Sequence, residues 1–133
     1  MDKLFHKKAL ELADSLGVEI VVGESPQECG INVSKKYKDI PSFYLPEFDL
    51  IYFNTLTAVD FDERTWILFH ELGHAVCDRF PVKLEEKLEE HTVNHMAVAW
   101  CVLFDIPISE RFVGHISENV EDLYRGKGKI KKR

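Results

Sequence analysis

Apolar residues near the start of the chain recur at the spacing of one helix face. The residues at this spacing are Phe5, Ala9, Leu12, Ala13 and Leu16. Gly17 follows directly, and glycine is a common residue just past the end of a helix. The pattern therefore predicts an amphipathic helix over residues 2–16.

Two short apolar runs rich in β-branched and aromatic residues predict strands. They are EIVVG at residues 19–23 and DLIYFN at residues 49–54. Prolines and a glycine punctuate the segment between them, which predicts only short extended pieces around Ile31–Val33 and Phe43–Leu45. The punctuating residues are Pro26, Gly30, Pro41 and Pro46.

The longest apolar helix pattern lies in the middle of the chain. Asp60 and Glu63 have the spacing of a capping box, in which each side chain accepts a hydrogen bond from the other residue's backbone N–H. The pattern predicts a helix over residues 61–79, with Pro81 beyond its end.

A second long helix is predicted to begin near Leu84. Its first two turns are acidic, as a helix dipole favours, and residues 93–104 are apolar on nearly every side, which indicates a buried helix. Asp105 and Pro107 end it. A third helical stretch is predicted at residues 109–125.

One helix, several strands and then three helices indicate an α+β fold. We expect a small, partly antiparallel sheet packed on the helix that carries residues 70–74. The length suits a single domain at residues 1–125. Residues 126–133 are a basic tail, GKGKIKKR, that we expect to be frayed and solvated.

Composition limits the partners of this chain. The net charge of −6 argues against nucleic acid, because binding phosphates needs clustered Lys and Arg. No apolar run approaches the roughly 20 residues that span a bilayer, and the N-terminus lacks the pattern of a secretory signal. The three cysteines are widely spaced, which suits reduced thiols. These features predict a cytoplasmic protein with no membrane contact.

The run His70-Glu71-Leu72-Gly73-His74 carries the clearest chemical signal. Histidines four apart in a helix lie on one face, so both imidazoles can reach one zinc ion. Glu71 is displaced about 100° around the helix. It is therefore placed to take a proton from water rather than to ligate the metal.

A catalytic zinc takes three protein ligands, so a third ligand must come from another element. We predict Glu90, because small residues one, two and three turns on allow its helix to pack closely. Glu86 is the alternative, and Glu85 and Glu89 are interpreted as solvated surface carboxylates. Asn94 is predicted to orient the site from behind a ligand.

Two other groups of metal-binding residue types receive other interpretations. His91 and His95 are also four apart, but no glutamate lies between them in the useful register. We expect hydrogen-bonded or surface positions for both. Cys77, three residues beyond His74, is interpreted as an ordinary buried thiol.

These residues resemble a known family. The run IYFNTLTAVDFDERTWILFHELGHAV, followed by Glu90-x-x-x-Asn94-x-x-Ala97, is similar to the ImmA/IrrE-type metallopeptidases. That family's segment typically reads Glu-x-x-Ala-Asn-x-Phe-Ala-Ala, so Val93 and Met96 depart from it. The likeness is strongest over residues 49–97 and weak before Pro46.

The resemblance implies a cytoplasmic zinc peptidase of bacteria or their mobile elements, with one zinc per chain. Its implied substrate is a helix-turn-helix transcriptional repressor. The alternatives are a module that binds such a regulatory protein without cutting it, with a structural zinc, and a zinc hydrolase of small molecules.

In the proposed chemistry Glu71 removes a proton from water and returns it to the leaving amine. An oxyanion donor is also needed, and the sequence does not choose among Tyr37, Tyr44 and Tyr52. The strand at 49–54 is a candidate edge onto which an extended substrate adds.

Overall fold

The computed structural model describes residues 1–34, 37 and 40–113. The predicted helix beyond residue 113 and the predicted tail at 126–133 lie outside these residues. The elements in chain order are α1 (Lys7–Leu16), β1 (Glu19–Gly23), β2 (Ser42–Leu45), β3 (Leu50–Asn54), α2 (Phe61–Asp78) and α3 (Glu86–Phe104), with a 3₁₀ turn at Gln27–Cys29. Helices packed on a small mixed sheet make this an α+β fold, as predicted.

The three strands lie in the order β1-β3-β2. β1 runs parallel to β3, with Glu19 opposite Leu50, and β2 runs antiparallel to β3, with Ser42 opposite Phe53. The predicted edge at 49–54 is therefore wrong, because β3 is paired on both sides. Among the described strands, β1 and β2 each have one side without a strand partner.

The burial of β3 explains its central position. Ile51, Tyr52 and Phe53 are all 1% exposed or less, so both faces of the strand are covered. Ile51 and Phe53 join the main core under the helices, whereas Tyr52 joins a smaller core on the opposite face, with Phe43 and Ile31. Ile31 is buried although residues 31–34 form no strand, so the extended piece expected there does not join the sheet.

The first helix is shorter than its apolar pattern predicts. Residues 2–4 form a turn, Phe5 lies in a bend, and α1 begins at Lys7 after the extended N-cap residue His6. Hydrogen bonds tie this segment to α2: the His6 backbone N–H donates to Thr65 Oγ1 at 3.0 Å, and Arg64 Nε donates to the Leu4 carbonyl at 2.9 Å. The contacts with α2 thus hold apolar residues such as Phe5 in the core without a helical backbone.

The predicted capping box at the start of α2 is confirmed. The Glu63 backbone N–H donates to the Asp60 carboxylate at 2.8 Å, and the Asp60 N–H donates to the Glu63 carboxylate at 3.1 Å. This satisfies two N–H groups that the first helical turn leaves without partners. The cap fixes where α2 begins, and hence which face its later residues present.

Close approach of α2 and α3 depends on a glycine within the histidine run. A Cβ on Gly73 would lie 2.8 Å from Val93 Cβ, closer than real side chains pack. On the same face of α3, Ala97 and Cys101 are fully buried. Small residues on both helices therefore set the short spacing that brings α3 to the face of α2 that carries His70 and His74.

The prediction that α3 is buried on nearly every side is wrong. Val93, Asn94, Ala97 and Cys101 are buried, but Val102 and Leu103 are 72% and 71% exposed. After α3 the chain turns at Asp105 and begins a helical turn at residues 110–113, where the Phe112 ring stacks on Trp66 at 4.7 Å. Among the described residues, nothing covers the outer face of α3 at Val102.

Candidate metal centre

Two histidines from α2 and one glutamate from α3 meet at one point. His70 Nε2 lies 3.1 Å from Glu90 Oε1, and His74 Nε2 lies 3.2 Å from Glu90 Oε2. One ligand atom from each of the three residues lies within 4.8 Å of the other two. The group can hold a metal ion, and the structure brings Glu90 to it as the sequence predicts.

A second hydrogen bond fixes the ring of each histidine. His70 Nδ1 lies 2.7 Å from Asn94 Oδ1, and His74 Nδ1 lies 2.6 Å from Glu89 Oε2. An amide oxygen and a carboxylate can only accept, so each Nδ1 carries the proton when the imidazole is neutral. Both Nε2 lone pairs then face Glu90, which is the tautomer that a metal needs.

Glu89 is not the solvated surface carboxylate that the sequence analysis predicts. Its side chain is only 24% exposed and holds His74 from behind. Glu85 does lie at the surface, where its carboxylate accepts from Lys87 N–H as the N-cap of α3. Glu86, the alternative ligand, lines the cleft but does not belong to the three-residue group.

The carboxylates around His74 change its charge. Burial lowers the pKa of His74, but hydrogen bonds to Glu90 and Glu89 and the charge of Glu71 outweigh this and raise the pKa to about 9. Burial raises the pKa of Glu90, yet the two histidines hold it well below its ordinary value. Without a metal, a proton on His74 balances these carboxylates, and a bound cation would replace it.

Glu71 lies beside the three-residue group without belonging to it. Its side chain is 7% exposed, and Ser42 Oγ, at the start of β2, donates to Glu71 Oε2 at 3.1 Å. Sequence reasoning missed Ser42, because a serine after a proline gives no signal of what it will contact. Ser42 therefore contacts Oε2 of Glu71, and the other carboxylate oxygen, Oε1, does not accept this hydrogen bond.

A cleft of about 890 Å³ opens over these residues. β2 forms one wall, the segment after α2 and the start of α3 form another, and the two histidines and Glu71 lie at its base. Residues with polar side chains on these walls include Tyr37, Ser42, Tyr44 and Glu86. His70, His74 and Glu90 therefore all border this opening.

The three tyrosines considered as oxyanion donors differ in position. Tyr52 is fully buried and donates to the Gly23 carbonyl at 3.1 Å, so it does not face the cleft. Tyr44 lines the cleft but donates to Asp49 Oδ1 at 2.6 Å, and burial together with this carboxylate raises its pKa. Tyr37 also lines the cleft.

Cys77 is buried, as the sequence predicts, at 4% exposure. Burial and the charge of Glu89 raise the pKa of its thiol to about 11. A thiol is a poor metal ligand until it loses its proton. Cys77 does not belong to the group formed by His70, His74 and Glu90.

No helix within the described part of the chain is long and apolar enough to cross a membrane. Comparison of the chain with known protein families, with curated proteins and with solved structures finds no match.

Proposed function

We propose that this protein is a zinc-dependent peptidase that hydrolyses a peptide bond in a protein substrate. One observation carries the proposal. Two imidazole Nε2 atoms and the Glu90 carboxylate converge at the base of an open cleft, and a second carboxylate, Glu71, lies beside them. Three ligands with a neighbouring carboxylate base are the arrangement of catalytic rather than structural zinc sites.

The residues fit zinc by their chemistry. His70, His74 and Glu90 offer two nitrogens and one oxygen, which is a common ligand set of catalytic zinc. Each imidazole presents Nε2 because Nδ1 is held by Asn94 or Glu89. When bound there, zinc would polarise the peptide carbonyl and favour ionisation of water.

Glu71 is the proposed catalytic base. A carboxylate beside the metal ligands can take the proton of the attacking water and then donate it to the leaving nitrogen. Ser42 Oγ donates to Oε2 of Glu71, and this hydrogen bond fixes the carboxylate while Oε1 handles the proton. Ser42 is thus proposed as a positioning residue for the base.

The proposed substrate binds as an extended segment along β2. This replaces the assignment to β3, which has no open side. Both β1 and β2 are edge strands of the described sheet, and of the two it is β2 whose residues form a wall of the cleft next to Glu71. Backbone pairing with an edge strand places a peptide bond without requiring a particular sequence.

The substrate class rests on the resemblance of residues 49–97 to the ImmA/IrrE-type peptidases. We propose a helix-turn-helix transcriptional repressor as the protein that is cut, within the cytoplasm. The charge balance of the chain, −6, also favours a protein substrate over a nucleic acid.

The test is incubation of the zinc-loaded protein with a helix-turn-helix repressor encoded near its gene, with and without a chelator. Mass spectrometry of the products should show one new N-terminus, which should not form after zinc removal. Tight binding of the repressor without cleavage would instead support the non-cleaving module. Cleavage of a small amide but of no protein would support a small-molecule hydrolase.

A further inference from the structure

A second pair of histidines lies on α3, outside the metal centre. His91 and His95 are four residues apart, so they occupy adjacent turns of one helix flank. Their ring centroids are 4.3 Å apart, with an angle of 70° between the ring planes. His95 is exposed and His91 is half-buried.

These two rings differ from the other histidines that the structure describes. His6 meets Asp62 at 2.7 Å, and His70 and His74 meet Asn94 and Glu89. By contrast, Nδ1 of His91 is buried with no hydrogen-bond partner. Within residues 1–34, 37 and 40–113, neither His91 nor His95 makes a hydrogen bond or ion pair. Of the two kinds of position expected for the pair, the hydrogen-bonded one is absent, whereas His95 lies at the surface.

This histidine pair is separate from the first centre, which is the candidate metal centre formed by His70, His74 and Glu90. Consecutive residues are rotated by about 100° around a helix, so His91 points to a different side of α3 from Glu90. Glu90 faces the histidines of α2, whereas His95 is exposed to solvent. A ligand on this flank would not occupy the cleft over Glu71.

We propose that His91 and His95 form a second site for a divalent transition-metal cation of the kind that imidazole prefers, such as Ni²⁺, Cu²⁺ or Zn²⁺. Neutral imidazoles on adjacent turns can chelate one ion, with water in the remaining positions. Neither ring has a hydrogen-bond partner among the described residues, so no protein group competes with the ion for the imidazole nitrogens. The exposed His95 ring can change rotamer without disturbing the core.

Metal at this site would link two turns of α3 that flank Asn94, which holds His70. A ligand that binds only the folded chain raises the unfolding temperature in a concentration-dependent way. The proposal does not depend on peptidase activity, so either one can fail without the other.

The test uses untagged full-length protein whose first centre is filled with zinc, and Ni²⁺ as the probe. Titration calorimetry should show one equivalent of Ni²⁺ bound, with the zinc content unchanged by elemental analysis. The melting temperature should rise with Ni²⁺ concentration. His91→Asn and His95→Asn should each abolish this equivalent and the thermal shift, and His6→Asn should keep both.

Each other result overturns the proposal. It is wrong if the parent binds no Ni²⁺ beyond the zinc, if Ni²⁺ only displaces the zinc, or if the second equivalent survives in either asparagine variant. Because His95 is exposed, His95→Asn should fold normally, and its circular dichroism and zinc content check this. A loss of Ni²⁺ binding in a folded variant then reports on the site alone.

Discussion

His74 Nδ1 lies 2.6 Å from Oε2 of Glu89, the residue directly before the proposed ligand Glu90. Nε2 of the same ring lies 3.2 Å from the Glu90 carboxylate. Two consecutive residues of α3 therefore contact opposite edges of one imidazole. His70 is held differently, since a neutral amide oxygen from Asn94 contacts its Nδ1.

This relationship predicts that Glu89 matters for metal affinity. Glu89→Ala should weaken zinc binding by about 10- to 100-fold, because His74 loses the group that fixes its tautomer and increases its basicity. Glu89→Gln keeps an acceptor without the charge and should weaken binding less. Competition with a zinc chelator measures both, with Glu85→Ala, at the exposed N-cap, as the control. If the zinc affinity of Glu89→Ala were unchanged, Glu89 would have no role in orienting His74.

The proposed ligand set predicts about one zinc per chain. His70→Ala, His74→Ala and Glu90→Ala should each lose the zinc, because two remaining ligands do not close the site. Glu86→Ala should keep it, since Glu86 lines the cleft outside the three-residue group. Elemental analysis after dialysis gives the stoichiometry. Zinc loss in Glu86→Ala combined with retention in Glu90→Ala would mean that α3 binds in another register.

Gly73 should be sensitive to the smallest possible enlargement. The Cβ of Gly73→Ala would meet Val93 Cβ at 2.8 Å, so α3 must move outward. Overpacking of this kind costs about 1–3 kcal/mol, partly offset by the roughly 1 kcal/mol better helix propensity of alanine. Zinc affinity should fall because Glu90 moves with α3.

A double variant distinguishes this mechanism from general destabilisation. Gly73→Ala with Val93→Gly removes the side chain that clashes and should restore zinc affinity, although the new glycine weakens α3. Chemical denaturation and chelator competition follow the two effects separately. Wild-type zinc affinity in Gly73→Ala alone would show that the helix spacing does not control Glu90.

The metal-free protein should have a stability optimum set by the His74–Glu90 pair. The pKa of His74 is raised to about 9, so its contribution is complete below its ordinary value of 6.5 and is lost as pH rises through about 9. The pKa of Glu90 is lowered, so its contribution is present above its ordinary value of 4.5 and is lost on acidification. The free energy of unfolding should therefore be highest between about pH 4.5 and pH 6.5, where both contributions are present.

Zinc should remove the alkaline part of this dependence, because the cation replaces the proton on His74. Urea denaturation of chelator-treated and zinc-loaded protein, repeated from acidic pH to above pH 9, measures how the free energy of unfolding depends on pH. Glu90→Gln should flatten the alkaline slope of the metal-free protein, and Glu85→Ala should not. If the metal-free parent were equally stable just below pH 6.5 and above pH 9, the assigned His74–Glu90 pair would be contradicted.

The fold and the site were predictable from the sequence to different degrees. Features set by neighbouring residues were predicted correctly. An example is the capping box, because Asp60 and Glu63 are only three residues apart and hydrogen-bond to each other's backbone. Strand pairing is set by distant residues, so the sequence did not show that β3 lies between β1 and β2. The uninterrupted apolar and aromatic run Ile51–Phe53 was the sequence signal of a strand covered on both faces, and the edge assignment overlooked it.

The metal centre shows the same division. Helical spacing was enough to place His70 and His74 on one face and Glu71 beside them. The role of Glu89 depended on the packing register of α2 and α3, in which Val93 packs on Gly73, and the sequence does not show that register. Ser42 approaches Glu71 from another element and had no signal.

The last prediction concerns the proposed catalytic base. Glu71→Gln preserves the size of the side chain and removes its basicity. Zinc content and folding should survive, because Glu71 lies beside the three ligands and not among them. Cleavage of the repressor should fall by at least roughly 100-fold, since a neutral amide cannot take a proton from water. Ser42→Ala should lower the rate less, because the carboxylate remains but loses its 3.1 Å hydrogen bond, and Ser42→Thr should restore it.

Single-turnover cleavage, measured with zinc content and repressor binding on the same samples, separates the outcomes. A Glu71→Gln variant that binds zinc and repressor but does not cut fits the proposed role. A variant that cuts at the parental rate would remove Glu71 as the base, and the proton would then have to pass to another group at the cleft wall.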